Sequence, residues 1–180
     1  MVMEDGMVKQ FAAGNIKSKK ESLTKGGATI IFAAHPDDEI IGCYEVLIKE
    51  KPLIIYCGDT EPKRREEALK LREVVEIGPQ LFLMSIPQHL MNKTNKFYFP
   101  DPVYERHPQH RLYGMMGEQL ARIGMDVIFY NTNMNAPYIH ECPDSKAKEE
   151  LLNKVYPSQK SLWEWEKKYI LFEGYNKWIF

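Results

Sequence analysis

A strong charge of either sign, a set of paired cysteines and a long apolar run are all missing from this chain. Its 24 Lys and Arg stand against 25 Asp and Glu, a formal charge of −1 over 180 residues. General nucleic-acid binders and binders of anionic membranes usually carry a basic excess, so neither class is indicated. The three cysteines, Cys43, Cys57 and Cys142, are odd in number and far apart. They form neither a disulfide framework nor a Cys-x-x-Cys pair, and they read as small buried hydrophobes. The longest apolar run, about residues 28–34, is far short of the ~20 residues of a membrane span. The first ten residues, MVMEDGMVKQ, carry acids and no apolar core, which is not the pattern of a secretory signal. The expected location is the cytoplasm. Neither Gly-x-Gly-x-x-Gly after the first strand nor Gly-Lys-Ser/Thr occurs, which removes two common nucleotide-binding fingerprints.

What is present is ordinary globular composition, 44% hydrophobic and 27% charged, enough for one domain with a real core. Residues 1–27, with Gly6, Gly14, Gly26, Gly27 and the cluster Lys17, Lys19, Lys20, read as an extension or poorly ordered arm. The domain is expected over 28–180, with an aromatic tail outside its main signature. ATIIFAA (28–34), PLIIYC (52–57), QLFLMSI (80–86) and DVIFYN (126–131) read as strands. Helices are expected over 38–51, 63–77, 109–123, 146–156 and 161–172, with Gly78 and Gly124 as stops. Residues 87–108, with four prolines, read as irregular. Strands alternating with helices predict a Rossmann-like α/β fold: an open, mainly parallel sheet with helices on both faces, in a single domain. In such a sheet the functional site lies at the carboxyl ends of the strands.

The first strand is followed by Ala34-His35-Pro36-Asp37-Asp38-Glu39. One acid would suffice to open the next helix, by offering a carboxylate to its free N–H groups. Three adjacent acids repel one another and favour a cation, and His35 adds an imidazole at the strand end. A second constellation, Glu105-Arg106-His107-Pro108-Gln109-His110-Arg111, puts two histidines three apart at a helix start, where they face the same way. His-x-x-His alone is a weak signal. Joined to His35 and Asp38 it completes a set of two histidines and one carboxylate, which suits catalytic zinc and also non-haem iron. His89 and His140 have no ligand-like neighbours at suitable spacing. Residues 61–76, including Arg64, hold five acids and five bases and fit a solvated helix face equally well.

The Ala-His-Pro-Asp-Asp-Glu segment resembles the signature of the zinc-dependent de-N-acetylases of the LmbE and PIG-L type. Three further segments follow in family order: Arg64-Arg65-Glu66-Glu67-Ala68 running to Gly78, His107-Pro108-Gln109-His110, and Tyr156-Pro157-Ser158-Gln159. The resemblance implies one Zn²⁺ per chain, or another divalent metal, held by His35, Asp38 and His110. It implies Asp37 as general base and a protonated His107 assisting the oxyanion and leaving group. Arg64 would bind substrate or orient the acids, and Glu39 would be structural, near the helix start. Tyr104 is a further candidate near the oxyanion. The implied reaction removes the acetyl group from an N-acetylglucosamine-type sugar conjugate by zinc-activated water, giving acetate and a free amine. Two alternatives stay open: an amidase on another small amide conjugate, and a sugar-binding member with weakened catalysis.

Two departures bear on that expectation. Gln109 stands where the family has Asp; it is expected to orient His107 without stabilising its charge, with Glu105 compensating. The six-residue segment 58–63 is shorter than the family loop, which suggests a large or exposed substrate, or a pocket completed by another subunit. Trp163, Trp165, Trp178 and Tyr175 crowd the C-terminus, where core packing or a homo-oligomer contact is the favoured reading over stacking on sugar rings.

Overall fold

The computed structural model describes residues 27–58, 61–71, 74–76 and 90–177. The expected 1–27 arm (apart from Gly27), the 80–86 strand, Gly78, His89 and Trp178 lie outside these residues.

Strand β1 (Thr29–Ala33) is short, β-branched and buried along nearly its whole length. It runs through His35 and Pro36 into helix α1 (Asp38–Glu50). β2 (Leu53–Tyr56) follows, then helix α2 (Pro62–Ala68) and β3 (Val74–Glu76). β4 (Lys96–Pro100) leads to α3 (Pro108–Arg122), β5 (Asp126–Tyr130) and β6 (Ile139–Glu141). The chain ends with α4 (Ser145–Val155), a 3-10 turn at Pro157–Gln159, α5 (Lys160–Trp165), α6 (Lys168–Leu171) and β7 (Phe172–Asn176). The sheet order is β3-β2-β1-β4-β5-β7-β6. β3, β2, β1, β4 and β5 pair in parallel, and β7 joins β5 and β6 in antiparallel.

Alternation along β1 sorts its side chains onto two faces. Ile30, Phe32 and Ala34 pack with Phe97, Phe99, Tyr113 and Leu120 under α3. Ala33 packs with Ile40, Ile41, Leu152, Trp163 and Ile170 under α1, α4, α5 and α6. The architecture is therefore α/β with helices on both faces, as expected.

Four expected elements differ. The 63–77 helix stops at Ala68, and Val74–Glu76 pairs in parallel with Ile54–Tyr56; a β-branched Val-Val pair suits a strand better than a helix. The Pro-rich 87–108 stretch contains β4, whose KFYFP core lies between β1 and β5 with Pro100 at its end. The 161–172 helix is two short helices broken at Glu166, whose backbone is non-helical. Within the aromatic tail, Phe172–Asn176 with Tyr175 is a strand of the sheet, and Trp163 and Trp165 lie on α5.

The first two crossovers carry the chain from β1 outwards to β2 and β3, and β4 then returns to the other side of β1. The strand order thus reverses between β1 and β4. The crevice at such a switch point, outside the carboxyl ends of the strands, is where ligands bind in open α/β sheets. The segments leaving β1 and β4 are 34–39 and 101–110, which hold both constellations. Close packing fixes the second one. A Cβ on Gly114 would lie 2.5 Å from the Pro100 carbonyl oxygen and 2.7 Å from the Pro102 nitrogen, so only glycine lets α3 rest on the β4 exit.

Candidate metal centre

His35, Asp38 and His110 converge. His35 Nδ1 lies 3.1 Å from His110 Nε2, and Asp38 Oδ2 lies 3.3 Å from His110 Nε2 and 3.7 Å from His35 Nδ1. Bonds of ~2.0–2.1 Å to a tetrahedral zinc require ligand atoms about 3.3–3.4 Å apart. The triangle formed by these three atoms has edges of that size.

The outer hydrogen bonds explain why the donor atoms face inwards. His35 Nε2 is 2.5 Å from the Gln109 side-chain carbonyl oxygen, which only accepts, so the ring proton sits on Nε2 and leaves the Nδ1 lone pair free. His110 Nδ1 is 3.2 Å from Glu105 Oε2, so its proton points to the carboxylate and its Nε2 lone pair is free. Two lone pairs and a carboxylate oxygen then meet with no hydrogen between them. That arrangement is repulsive unless a proton or a cation fills it. In the absence of metal a proton does so. Burial alone would depress the His110 pKa, but the Asp38 charge and the Glu105 hydrogen bond and charge outweigh it and raise the value to about 9.

Glu105 is itself well held. It is 3% exposed, accepts from the Thr132 backbone N–H, from Thr132 Oγ1 at 3.1 Å and from Asn133 Nδ2 at 2.9 Å. Thr132 and Asn133 follow β5 and did not stand out in the sequence; they carry no motif, and only the sheet order brings them to the β4 exit. Two expectations are corrected here. Gln109 orients His35 rather than His107, and Glu105 serves His110 rather than His107. Sequence proximity suggested His107 as their neighbour; the helical turn points both elsewhere.

His107 is exposed and is the N-cap of α3, its Nδ1 accepting from the Gln109 N–H at 3.3 Å. Its ring lies 5.0 Å from that of His35 and 5.2 Å from that of His110. One ring nitrogen from each of the three histidines falls within 4.8 Å of the other two, which makes His35, His107 and His110 a second group that could hold an ion. Burial, then the His110 and His35 charges, lower the His107 pKa below its ordinary value. The environment favours a neutral ring, against the expectation of a protonated one.

Asp37 adopts φ 109°, a left-handed conformation rare outside glycine. Its own carboxylate does not cap the helix, and Asp38 Oδ2 accepts from the His35 N–H at 2.7 Å instead. The Asp37 N–H donates to Glu39 Oε2 at 3.1 Å. Glu39, fully buried, also accepts from Tyr156 Oη at 2.7 Å, and Tyr156 Oη is 2.8 Å from Tyr56 Oη. Glu39 is thus a structural group at the helix start. Burial raises its carboxyl to about 7. Arg64, on α2, reaches the site: Nη2 lies 2.6 Å from Asp37 Oδ2 and 2.5 Å from the Pro36 carbonyl oxygen, to which it donates. Among the described residues, Asp37 Oδ2 nevertheless accepts no well-directed hydrogen bond and Arg64 Nε finds no acceptor. Burial, then the Asp38 charge, push the Asp37 carboxyl well above its usual range, with Arg64 opposing. Tyr104 is part-exposed at the rim, its ring edge-on to Tyr138 at 5.9 Å.

All three cysteines are free and buried. Among the described residues no helix is long and apolar enough to cross a membrane.

Fold and centre together define an α/β chain with a histidine-carboxylate cluster at its topological switch point. Comparison with protein-family models, with curated proteins and with solved structures found no match for this chain.

Proposed function

We propose that this protein is a metal-dependent hydrolase that removes the acetyl group from an N-acetylated amino sugar conjugate, as its resemblance to the LmbE and PIG-L type de-N-acetylases implies. The observation that carries the reading is the inward meeting of His35 Nδ1, Asp38 Oδ2 and His110 Nε2 at 3.1–3.7 Å, with the outer nitrogen of each ring already hydrogen-bonded. Zinc bound there supplies a Lewis acid that polarises a carbonyl and acidifies water.

The remaining chemistry belongs to the chain. Asp37 is buried next to Asp38, and its Oδ2, ion-paired with Arg64, takes no well-directed hydrogen bond among the described residues, which suits the carboxyl to accept the proton of an attacking water. A carboxyl whose pKa is raised by burial keeps that proton long enough to hand it to the departing amine, which leaves poorly as an anion. Arg64 restrains Asp37 and opposes excessive neutralisation. His107, neutral with Nδ1 occupied by the Gln109 N–H, offers an Nε2–H donor to the developing oxyanion. Products are acetate and a free amine.

Asp37→Asn tests the assignment. The variant is expected to bind zinc as the native protein does and to release acetate from N-acetylglucosamine conjugates at least 100-fold more slowly, on the order of a general-base contribution. Full activity in that variant overturns the role of Asp37.

A further inference from the structure

The Tyr156-Pro157-Ser158-Gln159 turn takes no part in the chemistry above, yet each of its two hydroxyls meets a buried carboxylate. Tyr156 Oη donates to Glu39 Oε1 at 2.7 Å, and Ser158 Oγ donates to Glu67 Oε2. The Ser158 N–H adds a third bond, 3.0 Å to Glu67 Oε1. Buried carboxylates depend on such donors, so their positions follow the groups that hold them.

Both carboxylates lead to Asp37. Glu39 Oε2 accepts the Asp37 N–H at 3.1 Å. Asp37 sits at φ 109°, a conformation that a residue with a side chain keeps only where its surroundings over-determine it. Tyr156 gives its hydroxyl proton to Glu39, so the Tyr56 hydroxyl, 2.8 Å away, donates to Tyr156 in turn and fixes it. The second route runs through α2. Glu67 and Arg64 lie three residues apart on this helix, and so on the same side of it. Arg64 Nη2 is 2.6 Å from Asp37 Oδ2 and donates to the carbonyl oxygen of Pro36, the residue before it. Helix α2 has seven residues, too few to hold its course by internal hydrogen bonds. Just beyond it, Lys70 Nζ donates to the Val155 carbonyl oxygen at 3.1 Å, so residues 67 and 70 are both tied to 155–158. Pro157, between the two hydroxyl residues, opens a 3-10 turn with its φ fixed by the ring, which sets the spacing of the two routes.

We propose that Tyr156 and Ser158 are positioning residues that set Asp37 from two sides. Tyr156 holds its main chain through Glu39, and Ser158 holds its carboxylate through Glu67 and Arg64. The inference rests on the reading of Asp37 as the proton acceptor and adds the element that aims it. The two routes restrain different freedoms, the backbone twist and the side-chain direction, so each is needed. Displacing a proton acceptor by a fraction of an ångström slows the chemical step and leaves substrate and metal binding as they were.

The test compares zinc-loaded native protein with Tyr156→Phe and Ser158→Ala, using acetate release from N-acetylglucosamine. Each variant is expected to lower kcat about tenfold, with KM and zinc affinity within about twofold. Ser158→Thr, which keeps the hydroxyl, is expected to recover most of the loss. In the Asp37→Asn background neither variant should slow the residual reaction more than about twofold, because both act through Asp37. By amide hydrogen exchange, Tyr156→Phe should expose the Asp37 N–H about tenfold faster while Ile31 and Phe97 in the sheet are unchanged. By NMR, the Arg64 guanidinium protons should be distinct in the native protein and averaged in Ser158→Ala. An unchanged kcat in either folded variant overturns the proposal and leaves the deacetylase reading standing. So does a full tenfold loss in the Asp37→Asn background, which places the effect elsewhere than Asp37. If the native protein releases no acetate, the deacetylase reading fails and the two activity-free readouts decide the positioning. Faster Asp37 exchange together with averaged Arg64 protons supports it, and no change in either overturns it.

Discussion

Glu105 Oε2 stands 3.2 Å from Nδ1 of His110, and this one contact sets which nitrogen of His110 faces His35 and Asp38. Glu105 keeps three further donors from Thr132 and Asn133, so it is a fixed acceptor. Partners of this kind tune a ligand's orientation and basicity. Glu105→Gln keeps the shape and removes the charge. Its zinc affinity should fall by roughly 10–100-fold, read by competition with a chromophoric chelator. Unchanged affinity would show that Thr132 Oγ1, 3.1 Å from the same nitrogen, orients the ring unaided.

Against burial, the Asp38 charge together with the Glu105 contact gives the metal-free protein a pH dependence of definite sign. His110 has a folded-state pKa of about 9 against an ordinary 6.5. A raised folded value means that the folded state holds the proton more tightly. The stabilisation is present in full below about 6.5 and is lost as pH rises through about 9. The melting temperature of chelator-treated protein should fall over that window, and His110→Gln should flatten the slope. Zinc replaces the proton, so its affinity should rise across the same range. A melting temperature that rises from pH 6.5 to 9 in the absence of metal contradicts the assignment.

Helix α1 carries Asp38 and Glu39 on its first turn and breaks at Cys43. A buried ion pair spans the break. Lys148 Nζ donates to the Ile41 carbonyl at 2.7 Å, and Glu173 accepts from the Tyr44 and Glu45 N–H groups at 2.9 and 3.2 Å. Lys148 and Glu173 are 3.2 Å apart and both are fully buried. Removing one partner strands the other charge, so Lys148→Met should cost about 3–5 kcal/mol in chemical denaturation. A cost below 1 kcal/mol would show that the break needs no ionic support.

Asp37 is the residue in the left-handed region at the site itself. Backbone strain of this kind costs about 1–3 kcal/mol. Asp37→Gly relieves it and removes a buried carboxyl, so metal-free stability should rise by about 1 kcal/mol while acetate release is lost. Lower stability in that variant would mean that the ion pair with Arg64 outweighs the strain.

Much of this was legible in the sequence because the signals were local. β1 and the residues 35–39 follow one another directly, and helical spacing alone places His107 and His110 together. The outer contacts were not legible. Gln109 and Glu105 were read against His107, their nearest histidine in sequence, whereas the turn into α3 points them at His35 and His110. Thr132, Asn133, Lys148 and Glu173 join the site or its support through pairings up to 129 residues apart, which no spacing rule reveals. β4 was hidden by Pro100 at its end and Pro102 just beyond it, and β3 by the charged helical pattern before it.

The central claim is a single metal centre that hydrolyses the acetamide of an amino sugar. Its most direct test is acetate release from N-acetylglucosamine conjugates by protein stripped with chelator and then refilled with zinc. The account predicts no release when stripped and full recovery at one equivalent of zinc per chain, with His110→Ala failing to recover. Release that survives stripping, or none at full zinc occupancy, would contradict it.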